Sequence, residues 1–242
     1  MRTTDFSRAP KLARVEAAVI STAARRAPGH PVRTMALRQE SGNGLIALYA
    51  TADEAIEAAE ELRARGGGRT TVLHAARHGY TNGSWNAEDG ELKTVESFTA
   101  TSSERARGRS GPRVVDTRAR ARRPVAAERR DGATPRVVPD ATEAHAMFFG
   151  ATKYTSPLSW VAFARQWFPM VARMQRMAGY RGHRVYWTWP FTLGTIAFFD
   201  SRDALLSMAR GPEHRYLMSW LTDSSIWATA GYIRFLETRD AG

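Results

Sequence analysis

His183-Arg-Val-Tyr-Trp-Thr-Trp-Pro-Phe-Thr-Leu-Gly-Thr-Ile-Ala-Phe-Phe199 is the stretch on which the fold turns. His183, Val185, Trp187 and Trp189 alternate with Arg184, Tyr186 and Thr188, the period of a half-buried strand. Pro190 marks a turn, and Phe191 to Phe199 continues as a second, nearly all-apolar strand. Upstream, Met147 to Tyr154 is β-prone. Thr155, Ser156 and Pro157 then open a helix in which Trp160, Phe163, Trp167, Val171, Met174 and Met177 recur every three or four residues. Pro169 is expected to kink that helix, and Gly179 to cap it. Downstream, Ser201 caps a helix from Arg202 that breaks at Gly211-Pro212 and resumes over 213–221, and Thr229 to Leu236 reads as the last strand.

Strand, helix, strand, strand, helix, strand (βαββαβ) predicts an α+β, ferredoxin-like domain over 140–242, with both helices on one sheet face. The other face is apolar too and needs a cover. A second sheet, from the same chain or another subunit, would give a dimeric or tandem α+β barrel with a cavity between the sheets, so a homo-oligomer is expected.

Residues 31–102 read as a weaker copy, a small degenerate ferredoxin-like half. Val32 to Arg38, Gly44 to Tyr49, Thr70 to Arg77 and Gly90 to Ala100 can be strands. Thr51 with Glu54 forms a capping box for a helix that Gly66-Gly-Gly68 ends. The final helix is missing or reduced, and Asn82, Trp85 and Asn86 read as a hairpin turn. Residues 1–30 form a basic arm, either helical over Lys11 to Arg26 or disordered. Residues 103–139 hold eleven arginines and four acids without an aromatic, so they cannot build a core and read as a disordered linker.

The formal charge of +11 lies wholly in the arm and the linker, because the other two blocks cancel. The linker is therefore read as a solvated tether, with nucleic-acid binding as the alternative. With no cysteine among 242 residues, disulfides, thiolate metal sites, iron–sulfur clusters and a cysteine nucleophile are excluded. No apolar run reaches the roughly 18 residues of a membrane span, and no secretory signal opens the chain, so a cytoplasmic protein without membrane insertion is expected. Paired carboxylates, a nucleophile elbow and phosphate- or dinucleotide-binding glycine loops are missing from the sequence. His74 and His78 would lie about 13 Å apart on one strand, too far for one metal.

Thr195-Ile-Ala-Phe-Phe-Asp-Ser-Arg-Asp-Ala-Leu205 followed by Gly211-Pro-Glu-His-Arg-Tyr-Leu-Met218 resembles the strand–helix half of the antibiotic-biosynthesis monooxygenase superfamily, over roughly residues 146–238. The named group it is most similar to is the haem-associated spheroidene monooxygenase-like one. Some members of the wider clan carry two ferredoxin-like halves and a haem-ligating histidine on a helix of the second. The resemblance implies an oxidoreductase of secondary metabolism, acting on a hydrophobic aromatic or polyene molecule. In a haem version His214 would ligate the iron, and Arg184 or Arg215 would hold a propionate or polarise oxygen. In a cofactor-free version the substrate itself reduces oxygen, with His183 and Trp187 as hydrogen-bond donors. A non-catalytic binding or assembly module is the remaining alternative.

Trp160, Trp167, Met170 and Met174 suit a large apolar pocket. Trp187 and Trp189, with Tyr186 and Phe191, read either as core or as a flat wall for a planar ligand. His214 can be a helix-start residue facing backbone or solvent, or a ligand, and His183 a satisfied strand-end group or a substrate contact.

Overall fold

The computed structural model describes residues 5–6, 9–39, 42–66, 68–77, 79–86, 92–95, 141–189, 191–211, 214, 217 and 227–239. The linker 103–139 and most of 213–221 lie outside the described residues.

The second half runs β7 (Ala146–Tyr154), α2 (Leu158–Met174), β8 (Tyr180–Thr188), β9 (Thr192–Phe199), α3 (Arg202–Ala209) and β10 (Ala228–Glu237). Its strands lie in the order β10-β7-β9-β8, all antiparallel. Ser201 caps α3 by accepting from the Ala204 N–H. The helix α2 runs through Pro169, and Gly179 lies beyond its end at φ 78°, a conformation that favours glycine.

The first half contains β1 (Ala17–Ser21), β2 (Arg33–Gln39), β3 (Gly42–Tyr49), α1 (Ala52–Ala64) and β4 (Thr70–Ala75), ordered β2-β3-β1-β4. The expected capping box is present, with the Thr51 hydroxyl accepting from the Glu54 N–H and the Glu54 carboxylate accepting from the Thr51 N–H. Three expectations fail. Lys11 to Arg26 is not one helix, because only Lys11–Arg14 forms a 3-10 turn and Ala17–Ser21 is a strand, buried throughout. Alanine favours helices, but β1 is paired on both edges, with β3 and β4, and that pairing decides its conformation. The missing helix therefore lies between β1 and β2 rather than after β4. The described part of 1–30 is likewise no appendage, since Phe6, Ala9, Ala13 and Val15 are buried in the main core. Asn82 to Asn86 is not a turn either: it belongs to β5 (Tyr80–Asn86), which pairs with β10 and with β6 (Leu92–Val95).

Both halves share one sheet, in which β4 meets the C-terminal end of β10 and β5 flanks the rest of it. Its inward face is a single core that draws Ile20, Ile46, Leu73, Phe149, Ile196 and Tyr232 from both halves. The sheet curls until its outer edges approach. The Arg33 guanidinium on β2 donates to the Thr188 hydroxyl and the Trp187 carbonyl, both at 3.1 Å, and lies over the Tyr186 ring. Arg184 on β8 answers by donating to the Ala36 carbonyl at 2.8 Å. The apolar face that called for a cover is thus covered from within the chain.

A glycine makes the interior possible. Tyr186 stands opposite Gly194 in the β8–β9 register, and its ring crosses the glycine so closely that a Cβ there would lie 1.9 Å from its Cζ. The Tyr186 hydroxyl thereby reaches the Gly150 carbonyl at 3.2 Å and the Tyr232 hydroxyl at 2.8 Å. Burial raises the pKa of both phenols, so both stay neutral.

Candidate functional site

The cavity lies on the outer face of the sheet, under α2, and not between two sheets as expected. The inward face carries the shared core. Outward positions alternate along each strand, so β7 supplies Phe148, Gly150 and Thr152 to the cavity floor, and β9 supplies Leu193, Thr195 and Ala197. Phe163, Trp167, Met170 and Met174 of α2 form the roof. Met208 of α3, then His214 and Leu217, close one side. Gly150 has no side chain, and the floor is tight there: a Cβ would lie 2.8 Å from the Tyr232 carbonyl oxygen and 3.1 Å from Phe148 Cζ. The volume is about 70 Å³.

His214 is the titratable side chain with the clearest chemistry here. The last carbonyls of a helix have no intrahelical partner, and the one at Ala209, the end of α3, accepts from His214 Nδ1 at 3.0 Å. That bond puts the proton on Nδ1 and leaves the Nε2 lone pair available. Phe148 meets the imidazole edge to face at 6.0 Å. Burial among such groups lowers the pKa from 6.5 to about 4, against a small opposing effect of the Ala209 carbonyl. The ring is neutral near pH 7. Around it the polar side chains are few: Thr195, Thr152, and Tyr154, whose hydroxyl bonds to Thr152 and whose pKa burial raises.

The other expected site residues disperse. Trp167 and Met174 line the cavity as read. Trp160 sits beside it, packed on Phe191 at 6.4 Å, with its buried indole N–H unpartnered among the described residues. His183 faces α2, against the Trp167 edge at 5.9 Å, and bonds through Nδ1 to the Tyr180 hydroxyl. Burial, then the neighbouring Arg184 charge, lowers its pKa. It does not line the cavity, and its ring is held as a strand residue between Tyr180 and Trp167. Trp187 and Trp189 are neither core nor pocket wall, being 48% and 76% exposed on the flank of β8. Arg184 is spent on the β2–β8 seam, and the Arg215 side chain lies outside the described residues. Thr152, Thr195 and Gly150 escaped the sequence reading, although their alternation with Phe148 and Ala197 would have found them once the outer face was chosen.

Haem does not fit this site. A cavity of about 150 Å³ takes up a single benzene, whereas this one is about half that and a porphyrin is several times larger than benzene. Among the described residues lining it, none is a lysine or arginine that could meet a propionate. Nor do the described residues contain a cluster of three His, Asp or Glu able to hold a metal ion.

No family model and no curated protein matches the sequence. Among solved structures, a protein of unknown function from Nitrosomonas europaea aligns at 15% identity and a TM-score of 0.34, over 41% of this chain and 94% of that one. A protein from Shewanella oneidensis aligns at 7% identity and a TM-score of 0.33, over 40% of this chain and 95% of its own. An anthrone oxidase-like protein aligns at 11% identity and a TM-score of 0.32, over 98% of this chain and 81% of its own. Likeness of this degree transfers no activity to the present chain.

Proposed function

We propose that the chain is a tandem ferredoxin-like α+β barrel working as an oxidoreductase of the cofactor-free oxygenase type, on a small hydrophobic aromatic molecule bearing an acidic hydroxyl. The observation that carries this reading is His214, a neutral imidazole with its Nδ1 proton bonded to the Ala209 carbonyl, bordering an apolar cavity. Its Nε2 accepts the hydroxyl proton. The substrate anion is then the reductant of dioxygen, while the protein supplies orientation and a dry, low-polarity surround. Burial that disfavours an isolated imidazolium also strengthens its attraction to the anion formed beside it, so the proton transfer is less uphill than the lone ring's pKa of about 4 suggests. Three methionines in the lining can rearrange to admit a ring larger than the cavity now holds.

The test pairs binding with turnover across a panel of phenolic aromatics. Quenching of tryptophan fluorescence reads binding, and an oxygen electrode reads turnover. His214→Asn keeps a donor for the Ala209 carbonyl but removes the base, so turnover should fall by roughly 10²-fold or more, with binding changed only a few-fold. Oxygen uptake unchanged in the variant sinks the proposal. Ligands that bind without any oxygen uptake by the unaltered protein favour a binding module, the second reading that an almost wholly apolar lining supports.

A further inference from the structure

Seven large apolar side chains are exposed among the described residues, and six of them belong to α2 and β8. Leu158, Val161 and Phe168 stand on the outer face of α2, at 74%, 60% and 69% exposure. Val185, Trp187 and Trp189 stand on β8 and just beyond its end. The two elements are tied by the Trp167–His183 ring contact at 5.9 Å, and Trp160 meets Phe191 in the turn after β8 at 6.4 Å. With an aromatic side chain presenting about 150–250 Å², the six together expose roughly 600–750 Å². A helix that packs its inner face on a sheet ordinarily turns charge outward, as α1 does with Glu57, Glu60 and Glu61. The exposed positions of α2 are apolar except for two cations, Arg165 and Arg173.

Charge identifies what covers this face. Between Glu143 and Asp200 the chain has no acidic residue. Of its six basic ones, Lys153 lies on β7, Arg181 pairs with Glu143 and Asp200, and Arg184 is spent on the seam, which leaves Arg165, Arg173 and Arg176 exposed on α2 and just past its end. A second copy docking face to face would set basic surface against basic surface. We propose that the α2–β8 face docks on an anionic lipid bilayer. No described helix is long and apolar enough to cross a membrane. The arrangement is instead an interfacial one: α2 lies in the plane of the headgroups, Trp187 and Trp189 sit at the apolar boundary, and Arg165, Arg173 and Arg176 reach lipid phosphates. This proposal stands independently of the cavity's chemistry.

Co-sedimentation with sucrose-loaded vesicles tests it, using the full chain at about 0.1 M salt, where exposed charges are felt over about 10 Å. Vesicles of phosphatidylcholine with about 30 mol% phosphatidylglycerol should bind at least ~10-fold more protein than phosphatidylcholine alone. The triple variant Phe168→Ser, Trp187→Ser, Trp189→Ser should lose that binding at least ~10-fold while keeping its far-ultraviolet circular dichroism. It retains every arginine of 103–139, so equal binding by variant and unaltered protein would locate the contact in that basic segment and overturn the proposal. Absence of sedimentation with anionic vesicles overturns it too. So does a dimer in light scattering that the triple substitution dissociates, which would make the face a self-interface. Should the triple variant lose its fold, Trp189→Ser alone, together with quenching of the unaltered protein by brominated lipid, decides in its place.

Discussion

Acid should cost this protein stability through one imidazole, by an amount that the structure sets. His214 is held at a pKa of about 4 in the fold, against an ordinary 6.5 that it regains on unfolding. Between those values the unfolded chain binds a proton that the native protein does not, so stability rises with pH across this window and is lost as pH falls through it. Carrying 6.5 and about 4 through the linkage relation gives about 2.5 kcal/mol lost from His214 alone between about pH 7.5 and about pH 4.5. His74 and His183 are lowered in the same direction, chiefly by burial, and the whole protein's pH profile therefore mixes several groups. The assay is urea unfolding of the unaltered protein and of His214→Asn at both pH values. Subtracting the variant removes the other histidines, and the difference isolates His214. The ring's own titration, followed by nuclear magnetic resonance, should show a midpoint near 4. A stability difference between the two proteins that stays flat across this range, or a midpoint near 6.5, would refute the reasoning that places a neutral, desolvated imidazole against the cavity.

Gly194→Ala should destabilise the fold by about 2–4 kcal/mol, since a Cβ 1.9 Å from the Tyr186 ring must expel that ring from its bonds to Gly150 and Tyr232. Chemical denaturation reads it, and a loss within about 0.5 kcal/mol, the range of neutral surface changes, would mean that the ring moves freely. Thr51→Ala removes one arm of the α1 capping box and should cost about 1 kcal/mol in the same assay, with no effect on ligand binding because α1 lies in the other half of the sheet. A loss above about 3 kcal/mol would show that Thr51 does more than cap.

Sequence by itself determined the elements whose signals are local. The strand–helix–strand–strand–helix–strand order of 146–237, the Thr51–Glu54 box and the Ser201 cap are written in periods of two and of three to four residues and in capping chemistry. These features need no knowledge of distant chain. His214 stood out for the same reason, sitting just past a Gly-Pro break that ends one helix.

Tertiary structure decided everything that depends on which face meets what. Ala17 to Ser21 carries an alanine-rich, helix-compatible sequence, yet it is a central strand because β3 and β4 offer it a full set of backbone partners. Trp187 and Trp189 alternate as a buried strand would, but periodicity reports only that two residues share a face, not whether protein or solvent lies beyond it. The cavity moved from the inner to the outer face because the two halves close on each other through Arg33 and Arg184 and fill the interior with side chains from both. No spacing within either half encodes that closure, which brings together residues more than 140 positions apart.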